Sequence, residues 1–249
     1  MSEDGGELIQ LPDENAPVAW LGFALSVDFY PAIKIARKSG LEFTAELSEI
    51  FEPEDVHLEG TEWAILGGGV CEGIRLVIEK RSLRIEVFRP VNKLEWYEQK
   101  INALLRTFEQ KFEPTAALHF NVSMTGLVDL PDGADARAFL GGHVMLMHPR
   151  KLDVIERPLD ILGIRLRFPP FEEIPWGVDV RIESWGEDPR KVFINADADW
   201  ESNAAWDGNF ADTSVSRITL ISNFIAKQIV QFLRNPPIPE DEPDDEGDE

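Results

Sequence analysis

The chain has 249 residues, with 46 Asp and Glu against 24 Lys and Arg and a net charge of −22. Binding phosphate needs clustered Lys and Arg, so direct nucleic-acid binding is not expected. The single Cys71 excludes an intramolecular disulfide framework and points to a reducing, cytoplasmic setting, and no apolar run approaches the ~20 residues that span a bilayer.

The start, "MSEDGGELIQLPDENAP", is acidic and polar, without signal-peptide character, and residues 1–15 read as a flexible segment. "VAWLGFALSVDFY" alternates, with Leu21, Phe23, Leu25, Val27 and Phe29 on one face, which predicts a strand. Pro31 to Glu52 is ambiguous between short helices and an irregular strand. "EWAILGGGV" reads as a short strand, and "GIRLVIEKRSLRIEVFRP" as a hairpin turning at Lys80–Ser82 with Ile74, Leu76, Ile78, Leu83, Ile85 and Val87 inward. Next, "NKLEWYEQKINALLRTFEQKFEP" carries one apolar stripe through Leu94, Tyr97, Ile101, Leu104, Leu105, Phe108 and Phe112, which predicts a long helix. Asn92 is its expected N-cap and Pro114 its stop.

The second half repeats this order. "AALHFNVSMTGLV" alternates as a strand with Leu118, Phe120 and Val122 together, "PDGAD" is a turn, and "ARAFLGGHVMLM" predicts a helix weakened by Gly141 and Gly142. "DILGIRLRF" places Leu162, Ile164, Leu166 and Phe168 on one side, and "GVDVRIESW" with "KVFINADADW" forms a hairpin around "GEDP". A last amphipathic helix, from Thr213 or Ser214 to before Pro236, carries Ile218, Ile221, Phe224, Ile225, Ile229 and Phe232. The tail "EDEPDDEGDE" holds eight acids and no base, leaving −14 on the rest, and residues 236–249 are expected to be disordered.

The expected fold class is therefore α+β. A β-α-β-β-β-α unit is used twice (16–114 and 115–235) within one domain, with long helices covering one face of antiparallel sheet and water on the other.

Four features invite a chemical reading. The row Asn195, Asp197, Asp199 and Glu201 lies on one side of an extended chain, and Asp197, Asp199 and Glu201 are the candidate metal ligands. Against that, neither register of the calcium-loop pattern fits, since Trp200 or Ser202 falls where the loop needs Gly. The other side of the same stretch is a core set, and Arg165, Arg167, Asp179, Arg181 and Glu183 on neighbouring strands supply counterions, so the row reads first as a solvated sheet face. "LGGGVCEG" continues into a strand rather than a helix, so Gly67 to Gly69 read as a bend and Cys71 as an inert thiol. His57, His119, His143 and His148 have no metal-ligand spacing, and His143 reads as a satisfied, partly buried side chain. Finally, Trp206 and Phe210 in "SNAAWDGNFAD" either fold over the start of the last helix or stand out as aromatic anchors for a partner.

"APVAWLGFALSVDF", "LRIEVFRP…LEWYEQKINALLRTFEQKF" and the closing helix before "NPP" together resemble, in layout, a sporadically distributed bacterial family of similar length described only as uncharacterised. The resemblance covers most of residues 16–235 and implies a cytoplasmic bacterial protein, with no catalytic residues to carry over. No hydrolase, kinase or dinucleotide signature is present and no cofactor is implied. The leading expectation is a non-catalytic interaction protein that docks a protein partner through its acidic surface, tail or sheet face. Alternatives are a small-ligand binder with a pocket between sheet and helices, in which Met124, Met145 and Met147 are candidate lining residues, and a divalent-metal site on the Asp197 strand.

Overall fold

A computed structural model provides the architecture. It describes residues 18–34, 36–50, 53–59, 62–67, 73–148, 157–200 and 204–234, with 53–59 and 62–67 described as backbone only. In chain order the elements are β1 (Ala19–Tyr30), α1 (Arg37–Leu47), β2 (Pro53–Glu59), β3 (Glu62–Gly67), β4 (Ile74–Glu79), β5 (Ser82–Phe88), α2 (Leu94–Phe112) and β6 (Ala116–Asp129). Then follow α3 (Ala136–Phe139), running into a π turn (Leu140–Val144), and β7 (Gly163–Phe168), β8 (Gly177–Ser184), β9 (Lys191–Trp200) and β10 (Ala204–Ala205). The last helix is α4 (Phe210–Asn223), which passes through a second π turn (Phe224–Ile229) into α5 (Val230–Arg234).

The strands form one ten-stranded sheet in the order β2-β3-β4-β5-β1-β6-β9-β8-β7, and β10 pairs with β6. Every one of these pairings is antiparallel. The first half lies as β3-β4-β5-β1 and the second as β7-β8-β9-β6, so both halves share a layout around the central β1–β6 pair. The match is in the order of elements and is incomplete: β2 has no counterpart among the described strands of the second half, and α3 is a single turn where α1 has eleven residues.

The period-2 pattern puts one side of every central strand in the core. Leu25 pairs with Ile85 and Val122, Val122 with Ala198, and Ala198 with Val178, giving an unbroken apolar row across five strands. Helix α2 covers the first half, with Tyr97 edge-on to Phe23 at 5.9 Å and Phe108 against Phe29 at 5.3 Å. Helix α4 covers the second half, with Phe210 against Phe120 at 6.1 Å. The two helices meet where Asp212 accepts hydrogen bonds from Asn102 (2.7 Å) and Arg106 (2.8 Å), and where the Thr219 hydroxyl donates to Glu98 (2.6 Å). The α+β class, the greasy helix-covered face and the solvated opposite face are thus as expected. No described helix is long and apolar enough to cross a membrane.

Several local expectations are corrected. Asn92 is not the cap of α2: the N-cap is Lys93, without a side-chain bond, and the Tyr97 hydroxyl instead accepts from the Val91 and Asn92 backbone N–H groups at 3.1 and 3.5 Å. At its end Glu113 turns left-handed (φ 49°), just before Pro114. Leu118 does not join the core set of β6. A bulge opposite Asp28–Phe29 inserts one residue, so Ala117 takes the inward place and Leu118 is 42% exposed. Helix α4 begins at Phe210, earlier than expected, because the Asp207 side chain accepts from the Asn209 N–H (2.9 Å) and closes the preceding turn. Phe232 falls off the core stripe. The π turn at Phe224–Ile229 holds an extra residue, rotating the stripe so that Val230 and Leu233 are buried instead. Phe168, at the outer end of edge strand β7, is exposed rather than inward.

The segments expected to be flexible (1–15) or disordered (236–249), Gly68, Gly69, Cys71 and Glu201 lie outside the described residues.

The alternation makes adjacent positions on β1 energetically unlike. Leu25 is fully buried at the centre of the core row, so Leu25→Ala is expected to cost about 3 kcal/mol in urea unfolding, whereas Ser26→Ala on the opposite face stays within about 0.5 kcal/mol.

Candidate functional site on the open sheet face

With all described helices on one side, the other face is built from the residues that alternate with the core set. Across it run polar rows fixed by register. Asp28 lies opposite His119, Ser26 opposite Asn121, and Asn121 opposite Asp199. Ala24 faces Ser123, Ser123 faces Asp197, and Asp197 faces Asp179.

The acidic row resolves into separate arrangements. His119 Nε2 lies 3.2 Å from Asp199, whose carboxylate also accepts from the Asn121 amide at 3.0 Å. The Asn195 amide donates to the hydroxyls of Ser123 (3.4 Å) and Thr125 (3.2 Å) on β6. Arg165 clamps Asp179 with two bonds of 2.7 Å, and Arg181 lies 3.6 Å from Glu183. Asp197 is the odd member: directly across from it stands another carboxylate, Asp179, already held by Arg165. Asp197 and Asp199 are therefore not gathered around a common point, and no group of three or more His, Cys, Asp or Glu able to hold a metal ion occurs among the described residues. Glu201, the third candidate ligand, is outside them. The Arg165 guanidinium hydrogen-bonded to Asp179 holds that carboxyl below the ordinary aspartate range.

Two cavities open along the rim where β1 ends and β6 begins. One, of about 380 Å³, is lined by Arg167, Phe168, Pro169, Pro170, Gly177, Val178, Asp179 and Asp199. A Cβ on Gly177 would lie 3.2 Å from Pro170 Cδ, so glycine lets the proline loop lie against the sheet. The other, of about 510 Å³, is lined by Asp28, Glu79, Lys80, Arg81, Ser82 and Leu118. His119 stands between them, opposite Asp28 and bonded to Asp199, so the rim forms a polar trough of interleaved charges. Both cavities open at the end of the sheet, where wet-face residues meet the core residues Val178 and Phe29, rather than deep between sheet and helices where a ligand pocket was anticipated. In that space Met124 is fully buried in the core and Met145 and Met147 pack against it.

Trp206 and Phe210 do not reach this face or the solvent. They are 6% and 4% exposed, stacked on each other at 4.0 Å, with Trp206 also edge-on to Phe29. They fold over the helix start, and as buried core rings they present no anchor to a partner. His143 is buried as expected but not satisfied. It stacks on Phe139 at 5.1 Å, and among the described residues neither ring nitrogen finds a hydrogen-bond partner. Sequence reasoning missed the cavity-lining role of Arg167. It also missed Arg217, which lies over the rings of Phe120 and Trp200 on the helix side. Only the strand register, which brings those two rings together, reveals the latter.

No family model matches the chain, and no curated protein matches it. The resemblance to a bacterial family thus rests on layout alone.

Two measurements follow. Asp179→Asn, which removes both hydrogen bonds of Arg165 and leaves it only the longer attraction of Asp197, is expected to lower stability by about 0.5 kcal/mol, while Asp197→Asn, which relieves the opposition to Asp179 and also removes that attraction, stays within about 0.5 kcal/mol of wild type. The depressed Asp179 carboxyl contributes stability that is whole above its ordinary value of 3.8 and is lost as pH falls below it, so the gap between wild type and Asp179→Asn should close in acid titration. Separately, thermal melts in Ca²⁺, Mg²⁺ and Mn²⁺ should match the metal-free melt for wild type and Asp197→Asn alike. An ion-specific rise absent from the variant would restore the metal reading.

Proposed function

We propose that the protein is a non-catalytic interaction module that takes a protein partner on the open sheet face, along the trough around His119. The observation that carries this reading is the exposed face itself, where hydrogen-bonded polar pairs hold a fixed pattern of charge. Fixed pairs of this kind select register and partner more than they add affinity. Electrostatics favour a partner with a basic surface, since the chain carries nearly two acids for each base and eight of the acids sit in the last ten residues.

Catalysis is the weaker reading of the same residues. His119 and Asp199 form a pair whose side chains are 43% and 50% exposed, so they lack the water-excluded setting in which such pairs stabilise developing charge. Ser123 lies four residues along β6 from His119, out of reach of the imidazole, and its hydroxyl accepts from Asn195.

A second reading has its own support. The 380 Å³ cavity combines an apolar wall (Phe168, Pro169, Pro170) with Arg167, Asp179 and Asp199, a composition suited to a small zwitterionic ligand.

The two readings separate experimentally. Affinity capture from the native cytoplasm should recover a specific protein. Ser123→Lys in the middle of the face should abolish its recovery, while Ser216→Lys on the exposed side of α4 should leave it intact. Removing residues 236–249 tests whether the tail contributes. Recovery of no specific protein, or a partner indifferent to Ser123→Lys, would sink the proposal.

A further inference from the structure

On the helix side of the sheet, α4 turns one cation inward. The Arg217 guanidinium lies 4.3 Å from the centroid of the Phe120 ring and 5.0 Å from that of Trp200, a cross-strand pair of β6 and β9 on the core face. Cation–π contact offsets part of the cost of drawing a guanidinium out of water, but it uses the face of the group. The five N–H donors point outward in the guanidinium plane and remain to be satisfied. Among the described residues none of them finds an acceptor. Arg106 on α2 behaves differently, spending its donors on Asn102, Asp212 and the Gly208 carbonyl. Burial pushes the Arg217 guanidinium down from its ordinary value, with no carboxylate among the described residues pushing back.

Leaving a half-buried cation unpaired is costly, and an apolar side chain of similar volume would remove that cost. The residue is held over two rings, which fixes the guanidinium before any ligand arrives. An aromatic wall continues from it. Trp176 stacks on Trp200 at 5.7 Å, and Phe224 stands edge-on to Trp176 at 5.7 Å and to Phe168 at 6.1 Å. Phe168 carries the wall out to solvent.

We propose that Arg217 anchors an organic carboxylate, whose oxygens take the open edge of the guanidinium while its apolar body lies along Trp176, Phe224 and Phe168. A carboxylate matches the two-pronged donor geometry of arginine, and the rings favour a ligand with an apolar body over a bare ion. Arg217 lies on the helix side of the sheet while Phe168 also lines the 380 Å³ cavity, so the two sites share one wall residue and the Arg217 variants test this one alone.

The test is calorimetric titration of the full chain with benzoate at fixed ionic strength, with acetate and inorganic phosphate as comparison ions. Wild type should bind benzoate saturably and more tightly than acetate. Arg217→Met should bind it about tenfold more weakly or not at all, and Arg217→Lys, which keeps the charge but loses the fork, should fall between. Circular dichroism confirms that each variant is folded, and if Arg217→Met is not, the Arg217→Lys loss decides. Equal binding by wild type and Arg217→Met, absence of saturable binding, or phosphate outcompeting both carboxylates would overturn the proposal.

Discussion

The antiparallel pairing of β1 with β6 is the constraint on which the rest of the molecule depends. It joins the two halves through the centre of the sheet and aligns Phe23 with Met124, Leu25 with Val122 and Val27 with Phe120. Because side chains alternate with a period of two, that register decides for every outer strand which residues face the helices and which face water. A slip by one residue would bring Ser26, Asn121 and Asp199 into the core and turn Leu25 and Val122 outward. The bulges at Leu21 and Leu118 take up the irregularities at the two ends of the pair and leave the central register intact.

From that register comes the asymmetry of the two faces. Helices α2 and α4 both settle on the apolar side and bind each other through Asp212, Asn102 and Arg106, so no described helix remains for the other side. The open face must then satisfy its own polar groups across strands. His119–Asp199, Asn195 with Ser123 and Thr125, and Arg165–Asp179 do so. Two like-charge oppositions remain on these strands, Asp197 across from Asp179 and Arg165 across from Arg181, and the Arg165–Asp179 clamp spans them. Of the three candidate metal ligands, Asp199 is bonded laterally to His119 and Asn121, Asp197 faces Asp179, and Glu201 lies outside the described residues.

Much of this was legible in the sequence, because burial follows periodicity wherever the chain is regular. The inward sets of β4, β5 and β9 are buried as their spacing implies, and so is the stripe of α2 apart from its half-buried ends, Leu94 and Phe112. What was not legible lies where the period breaks. The bulge that expels Leu118 and the π turn that replaces Phe232 with Val230 and Leu233 each add one residue to a repeat, and a one-residue insertion has no compositional mark. The segment holding α1 and β2 was obscure for a related reason: its apolar residues are too few to set a period. The site was legible in part. That Asp197 and Asp199 share a wet face followed from alternation, whereas the Asp197–Asp179 opposition, the trough and the Phe120–Trp200 seat of Arg217 depend on which strands become neighbours. No local pattern states that.

If β1–β6 is the joint that makes two similar layouts one cooperative unit, its backbone amides should be among the last to open. Native-state hydrogen exchange followed by NMR tests this most directly. The account predicts that core amides of β5, β1, β6 and β9 exchange only through global unfolding, with one common free energy and one common denaturant dependence. Exchange of the β4-β5-β1 amides at a free energy distinct from that of the β6-β9-β8 amides would show that the halves unfold separately, and would contradict it.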